Sequence, residues 1–361
     1  MTVLQSPLHA MIAAGGSASS LIERHGYELP AVFSDPASEY TAAVTAAAVH
    51  DASYRGRLKA TGDDALDLLN RMSTNKVIDL QPGEGTPTVL TNDRGRIVDL
   101  LGVVNNGDHL LLLTSPGRQQ AVIDWLDKYT IMEDLEVEDV TAATAMLALI
   151  GPAAAEFLER DKASRNPGTP LCSWEQTLGG HQALVIEHPL GKLPCCYLVV
   201  EPEAGDSIWT HLLERGVTPI GVDALETVRV SLGVPEFGSE LGEPYNPLEA
   251  GLIGSVDFAK GCYIGQEVIA RLDSYKKVQK YLVSLRFDAD AEVDAGASLV
   301  KGGQAVGAVT SVSRIPGIGL VGLGYVKTAS ALAGGQLELE APASGNVRIE
   351  ELSQLFGPGE D

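Results

Sequence analysis

The chain has 361 residues, with 26 Lys plus Arg against 48 Asp plus Glu and a net charge of −22. At roughly 100–200 residues per domain this length predicts two or three domains. An apolar share of 45% with 20% charged residues is globular and excludes a disordered chain. The acidic balance excludes whole-surface attraction to nucleic acid or to an anionic membrane, and leaves room for a local basic patch.

No stretch free of breakers reaches the roughly 20 residues of a membrane-spanning helix. The best, 145–155, is interrupted by Gly151-Pro152. The N-terminus has no basic segment followed by an apolar run, so no signal peptide is expected. Cys172, Cys195, Cys196 and Cys262 are sparse, and two are adjacent, a poor layout for a disulfide framework. A reducing cytoplasm is the expectation. The seven histidines are scattered and no CxxC pair occurs, so no metal site is predicted.

In chain order, 11–20 is Gly/Ser-rich and reads as a loop, and 40–50 is an Ala-rich helix candidate. Residues 57–61 read as a strand. Gly62-Asp63-Asp64 then supplies an N-cap, and Ala65, Leu66, Leu68, Leu69 and Met72 form a helical apolar face. Strands are predicted at 88–91 and 97–105 around the turn Asn92-Asp93-Arg94-Gly95. Another at 109–114 follows the hairpin signal Asn105-Asn106-Gly107-Asp108. A helix at 119–129 and a strand at 135–141 complete a β-α-β-β-β-α-β order. That order predicts an antiparallel α+β sheet with helices on one face. A second unit opens with a strand at 145–150, then a helix at 153–160, a loop at 165–170, strands at 183–187 and 196–200, and helices at 207–215 and 222–232. Residues 233–255 form a long Gly/Pro-containing loop, either functional or simply covering. Beyond Lys280, short strands at 281–287, 297–300, 304–313, 320–326 and 336–339 predict a small β-barrel or sandwich. The acidic Gly/Pro tail, 356–361, is expected to fray.

Gly317, Gly319 and Gly322 spell G-x-G-x-x-G but lie among strands, without the helix a dinucleotide site requires. Turn glycines of a barrel are the better reading. The informative stretch is Lys260-Gly261-Cys262-Tyr263-Ile264-Gly265-Gln266-Glu267. A helix is predicted from near Ile264. Cys262 would then sit just before its positive end and two residues from an ammonium group, and both favour the thiolate. The alternative is a small buried core thiol.

That octapeptide resembles the signature of the YgfZ family. These are folate-binding proteins related to the glycine-cleavage T protein and implicated in maturation or repair of iron–sulfur enzymes. Asn92 to Asp99, the helix from Gly221 to Arg229 and the loop from Glu243 to Leu252 also resemble that superfamily's turn, helix and Asn-Pro-x-Glu-x-Gly-Leu loop. The resemblance implies an α+β fold: two α+β subdomains and a C-terminal small β-barrel around a central folate channel. The aminomethyltransferase-like region would be 1–275. It would hold a ferredoxin-like subdomain at about 51–141 and a second at about 142–275 with part of the N-terminus; the barrel would follow at 276–355.

The resemblance also implies a reduced folate, such as tetrahydrofolate, as cofactor. It implies Cys262 as the functional thiol within a motif of Lys260, Gly261, Tyr263, Gly265, Gln266 and Glu267. Arg229, Glu249 and Asp99 are the implied folate contacts. Each has a plainer reading: Arg229 a salt bridge with Glu226, Glu249 a backbone cap, Asp99 an outward polar position. Arg271, Lys276, Lys277 and Lys280 either meet a polyglutamate tail or an acidic partner, or form a solvated linker. The transferases carry two consecutive aspartates, the second being the catalytic acid. Here the pair is Asp99-Leu100, and a leucine cannot transfer a proton. Their Tyr- and Glu-bearing pterin segment corresponds to 187–193, which has neither at those places. The expectation is a folate-binding accessory protein with iron–sulfur clients or assembly proteins as partners. The alternatives are a tetrahydrofolate-dependent one-carbon transferase or demethylase, and a scaffold without ligand.

Overall fold

The computed structural model describes residues 3–14, 20–159 and 170–352. Its fold is mixed α+β and ends in a closed six-stranded barrel. The predicted loop at 165–170 lies outside the described residues except for Thr169's neighbour Pro170, and the tail at 356–361 lies wholly outside them. The described residues fall into two compact units. One takes in 1–72, 76–88 and 100–225; the other takes in 73–75, 89–99 and 226–361.

Most of an eleven-stranded sheet lies in the first unit, all but residues 89–91 and 97–99 of its strands. Its order is Thr218–Pro219, Ala48–Asp51, Ala145–Ile150, Cys195–Val200, His181–Glu187, Leu171–Leu178, Glu84–Thr91, Ile97–Asn105, Leu110–Thr114, Gly56–Thr61 and Glu136–Asp139. The pairs flanking Ala145–Ile150, His181–Glu187, Leu110–Thr114 and Gly56–Thr61 run antiparallel, and at one edge Thr218–Pro219 lies parallel to Ala48–Asp51. The inner strand Ala145–Ile150 is buried at every position, as a strand covered on both faces must be. Leu147, Leu149, Val185 and Leu198 pack there with Ile208, Trp209 and Leu212 of the helix Gly205–Glu214.

Three sequence expectations change. The helix expected at 40–50 runs over Pro36–Thr45, because Asp35 caps it upstream by accepting from Ser38 N at 2.8 Å and Pro36 fits its first turn. Ala48–Asp51 then enters the sheet, where pairing on both sides overrides the helix preference of alanine. The expected helix at 153–160 shrinks to a 3₁₀ turn at Ala154–Phe157, with extended backbone at Leu158. Part of the Gly/Ser-rich segment read as a loop is ordered: His9–Ala14 is helical, and Ser20–Arg24 pairs with Tyr27–Val32.

In the second unit the barrel order is Lys280–Phe287, Gly319–Lys327, Gln304–Ile315, Ser298–Lys301, Gln336–Leu339 and Asn346–Leu352. The sixth strand, Asn346–Leu352, escaped the sequence reading. It closes the barrel by pairing with both Gln336–Leu339 and Lys280–Phe287. Val283, Leu285, Val309, Val326, Leu337 and Ile349 fill the interior. Gly322 lies within a barrel strand, and a Cβ there would stand 2.6 Å from Ser311 O and 2.9 Å from Phe287. Close packing accounts for that glycine without a nucleotide.

Candidate functional site

The octapeptide lies wholly in the second unit, and its conformation is set by a buried clamp. Asp257 Oδ1 accepts from Ala259 N at 2.7 Å and Lys260 N at 3.1 Å, which tightens the turn before the motif. The Lys260 side chain runs inward. Its Nζ donates to Ser73 O at 2.8 Å and Asn75 O at 2.6 Å and stands over the Tyr263 ring. Burial pulls the Lys260 ammonium down to about 8, against the opposing charge of Asp257. Tyr263 packs with Leu248, Val256, Ile269 and Val278, and burial pushes its phenol up to about 12. Between these two anchored side chains, Gly261 and Cys262 face solvent.

Cys262 is therefore exposed and not a core thiol. The two electrostatic aids expected for it are otherwise engaged. The helix begins at Gln266, so Cys262 lies four residues before its first turn, beyond the range over which a helix end acts. The Lys260 ammonium is directed into backbone carbonyls. Gly265 caps the helix at φ +84°, and a Cβ there would stand 2.6 Å from Asn92 O. Only glycine fits both the left-handed backbone and that approach. Gln266 is half-buried, whereas Glu267 is exposed and pairs with Arg271.

Arg229 is consumed by its surroundings. Nε and Nη2 donate to Glu226, Nη1 to Glu240 Oε2 at 3.0 Å and Val234 O at 2.8 Å, and Nη2 also to Ser311 Oγ at 2.8 Å. These bonds use all five N–H groups of the guanidinium. Burial works against its charge, but Glu226 and Glu240 outweigh it and hold the pKa above the ordinary arginine value. The salt bridge with Glu226 is present as one arm of a larger network. Glu240, fully buried, extends it: Oε1 accepts from Ser311, and its carbonyl accepts from the Tyr325 hydroxyl at 2.7 Å.

Glu249, 3% exposed, sits in the 233–255 loop. Asn246 Oδ1 accepts from Leu248 N and Glu249 N at 3.0 Å each, and Asn246 N donates back to Glu249 Oε2 at 3.2 Å. Arg96 Nη1 reaches the same oxygen at 3.3 Å. Burial raises the carboxyl above its ordinary value, opposed by Asn246, Lys280 and Arg96. Glu249 is thus a backbone cap, with Oε1 accepting nothing among the described residues. It also lines a cavity of about 670 Å³. Asp99 is wholly buried on the strand Ile97–Asn105, which corrects the outward reading; Leu100 beside it is half-buried. Neither lines that cavity, nor do Cys262 and Arg229.

The basic run 271–280 does not act as one patch. Arg271 pairs with Glu267, Lys276 with Asp273, and Lys277 lies over Tyr275; Lys280 alone of the four lines the cavity. In the first unit, sequence reading passed over His188. It is half-buried against Tyr197 with ring centroids 5.2 Å apart, and desolvation and the Arg55 charge draw its imidazole down to about 4. Its sequence signal was its place in the segment 187–193, which was read for a missing Tyr and Glu and not for the histidine. Among the described residues, no group of three or more His, Cys, Asp or Glu could hold a metal ion, and no helix is long and apolar enough to cross a membrane.

Comparison with known proteins places this geometry. A chloroplastic protein of Arabidopsis thaliana, named as a candidate transferase, is 32% identical over 309 residues, 83% of this chain and 69% of its own. An aminomethyltransferase of Geobacillus kaustophilus is 30% identical over 347 residues, covering 93% of this chain and 94% of that one. One from Nostoc sp. strain PCC 7120 is 28% identical, covering 87% and 86%. The crystal structure of glycine cleavage system aminomethyltransferase T from Bartonella henselae superposes with a TM-score of 0.84 at 20% identity, over 98% of this chain and all of that one, which shows a shared fold. The sequence model of the GCVT N-terminal domain matches residues 9–260, and the chain belongs to that aminomethyltransferase-like family.

Proposed function

We propose that this chain is a folate-binding member of the family that has given up aminomethyl transfer and uses Cys262 to support iron–sulfur proteins. Exposure of Cys262 on an anchored loop is the observation that carries the reading. Lys260 and Tyr263 are fixed on either side of it, so the thiol is presented by a stiff loop at little ordering cost. One cysteine cannot hold an iron–sulfur cluster, which takes four protein ligands. The role proposed is a reversible contact to a client, a cluster in transit or a cofactor derivative.

Aminomethyltransferase relatives support a reduced folate as ligand. A pterin needs acceptors for its amino and amide edge. Of the expected contacts, Glu249 keeps one carboxylate oxygen without a hydrogen bond among the described residues, whereas Arg229 has no N–H to spare. Leu100 in place of an acid argues against turnover.

Purified protein given tetrahydrofolate and an aminomethyl donor is expected to form no methylene-tetrahydrofolate. Cells carrying Cys262→Ala are expected to lose iron–sulfur enzyme activity at unchanged protein level. Normal iron–sulfur activity in that variant contradicts the thiol's role, and turnover in the assay favours the one-carbon transferase that the relatives' names suggest.

A further inference from the structure

The cavity floored by Glu249 is positively charged in a strongly acidic protein. Arg94, Arg96, Lys280 and Lys327 line it, and Glu249 is the one carboxylate in the lining. Three separate stretches of chain bring the cations together. Asn92 folds the first: its Oδ1 accepts from Arg94 N and Arg96 N, and its carbonyl from Gly95 N, which sets two arginines on one tight turn. The barrel supplies the others. Lys280 and Lys327 are direct partners across two antiparallel strands, where like charges repel.

Among the described residues this charge is only partly offset, Lys327 Nζ donating to Ala305 O at 2.9 Å. Arg96 makes two long contacts, both at 3.3 Å through Nη1, to Glu249 and Pro244 O. Among the described residues the Arg94 guanidinium forms no ion pair or hydrogen bond. Among those residues the Lys280 ammonium has no acceptor either; it lies over the stacked rings of Tyr245 and Tyr325, 4.3 and 5.0 Å from their centroids. Burial draws that ammonium below the ordinary lysine value; Glu249 opposes the shift and Arg96 adds to it. Val268 and Leu272 give the cavity an apolar wall. Its volume suits a small molecule.

We infer that this cavity binds a small organic anion, its carboxylate or phosphate oxygens held by Arg94, Arg96, Lys280 and Lys327 and its carbon skeleton against Val268 and Leu272. An oxyanion between Lys280 and Lys327 relieves their repulsion, and a guanidinium grips it through two parallel N–H bonds. The inference rests on the cavity's cations; it shares Glu249 with the folate reading, and probes that carry no pterin test it separately.

The test is calorimetric titration of the full chain at low ionic strength with citrate, as the carboxylate probe, and with pyrophosphate, as the phosphate probe. At least one is expected to bind at a single site in the millimolar range or tighter. The probe that binds identifies carboxylate or phosphate as the ligand's charged group. Arg94→Ala combined with Lys280→Met is expected to weaken binding at least about tenfold, with the thermal unfolding midpoint checking the fold. Lys276→Met, which removes a charge paired with Asp273 outside the cavity, is expected to leave binding unchanged. No heat from either probe overturns the inference. So does binding that survives the double variant, or that Lys276→Met weakens equally.

Discussion

At Lys260, burial and the charge of Asp257 pull in opposite directions, and the difference is measurable. Its pKa falls from 10.5 to about 8 on folding, so between those values the folded chain has released a proton that the unfolded chain still holds. Stability rises with pH wherever the unfolded state binds more protons. The stability difference between wild type and Lys260→Met is therefore expected to move in favour of wild type as pH rises from about 8 to 10.5. Chemical denaturation across that range tests it, and a difference independent of pH contradicts it. Two residues on, the expectation reverses. Cys262 is exposed, so Cys262→Ala is expected to shift stability by no more than about 0.5 kcal/mol. A larger loss would mean that the thiol belongs to the packing and that its cellular phenotype reports folding.

Single buried carboxylates tie elements together. Glu39, on the helix Pro36–Thr45, is fully buried and among the described residues has no cation against it in a hydrogen bond. Its Oε1 accepts from Phe33 N and Ser34 N at 2.7 Å each, and Oε2 from Gly221 N at 2.8 Å. Glu39→Ala would orphan three backbone donors, at roughly 1–3 kcal/mol each before relaxation. A loss of about 3 kcal/mol or more in urea denaturation is expected, and a loss under 1 kcal/mol contradicts this account of how the helix is docked. Glu240 does the same for the 233–255 loop. Glu240→Ala removes the buried acceptor of Arg229 Nη1, Glu236 N and Ser311 Oγ while Glu226 still pairs the guanidinium, and is expected to cost roughly 1–3 kcal/mol per orphaned donor before relaxation. The same denaturation series measures it, and a near-neutral effect would show the loop held by other means.

These elements also show what the sequence could and could not reveal. Barrel strands were legible because Gly-rich turns punctuate short alternating runs, as between Ser298–Lys301 and Gln304–Ile315. Leu171–Leu178 was not, since Cys172, Trp174 and Gln176 interrupt any clear apolar alternation. The octapeptide was legible because its residues are contiguous. The cationic cavity was not, because Arg94, Lys280 and Lys327 lie far apart in the chain and meet through strand register and a turn. Arg229 misled in the other direction: its spacing from Glu226 was visible, but Glu240 and Ser311, which complete the network, come from other elements.

For the whole molecule, family membership and fold stand on matches that span most of the chain, and neither decides activity. In the proposed function, binding and turnover are separate: folate is bound, and proton transfer is lost because Leu100 follows Asp99 where a second aspartate is expected. The net charge of −22 makes general attraction of anions unfavourable, so binding of an anionic folate would have to come from a built site. Calorimetric titration of the full chain with folinic acid tests this most directly. Saturable binding at one site per chain is predicted, and the absence of both heat and competition with a labelled folate would contradict it.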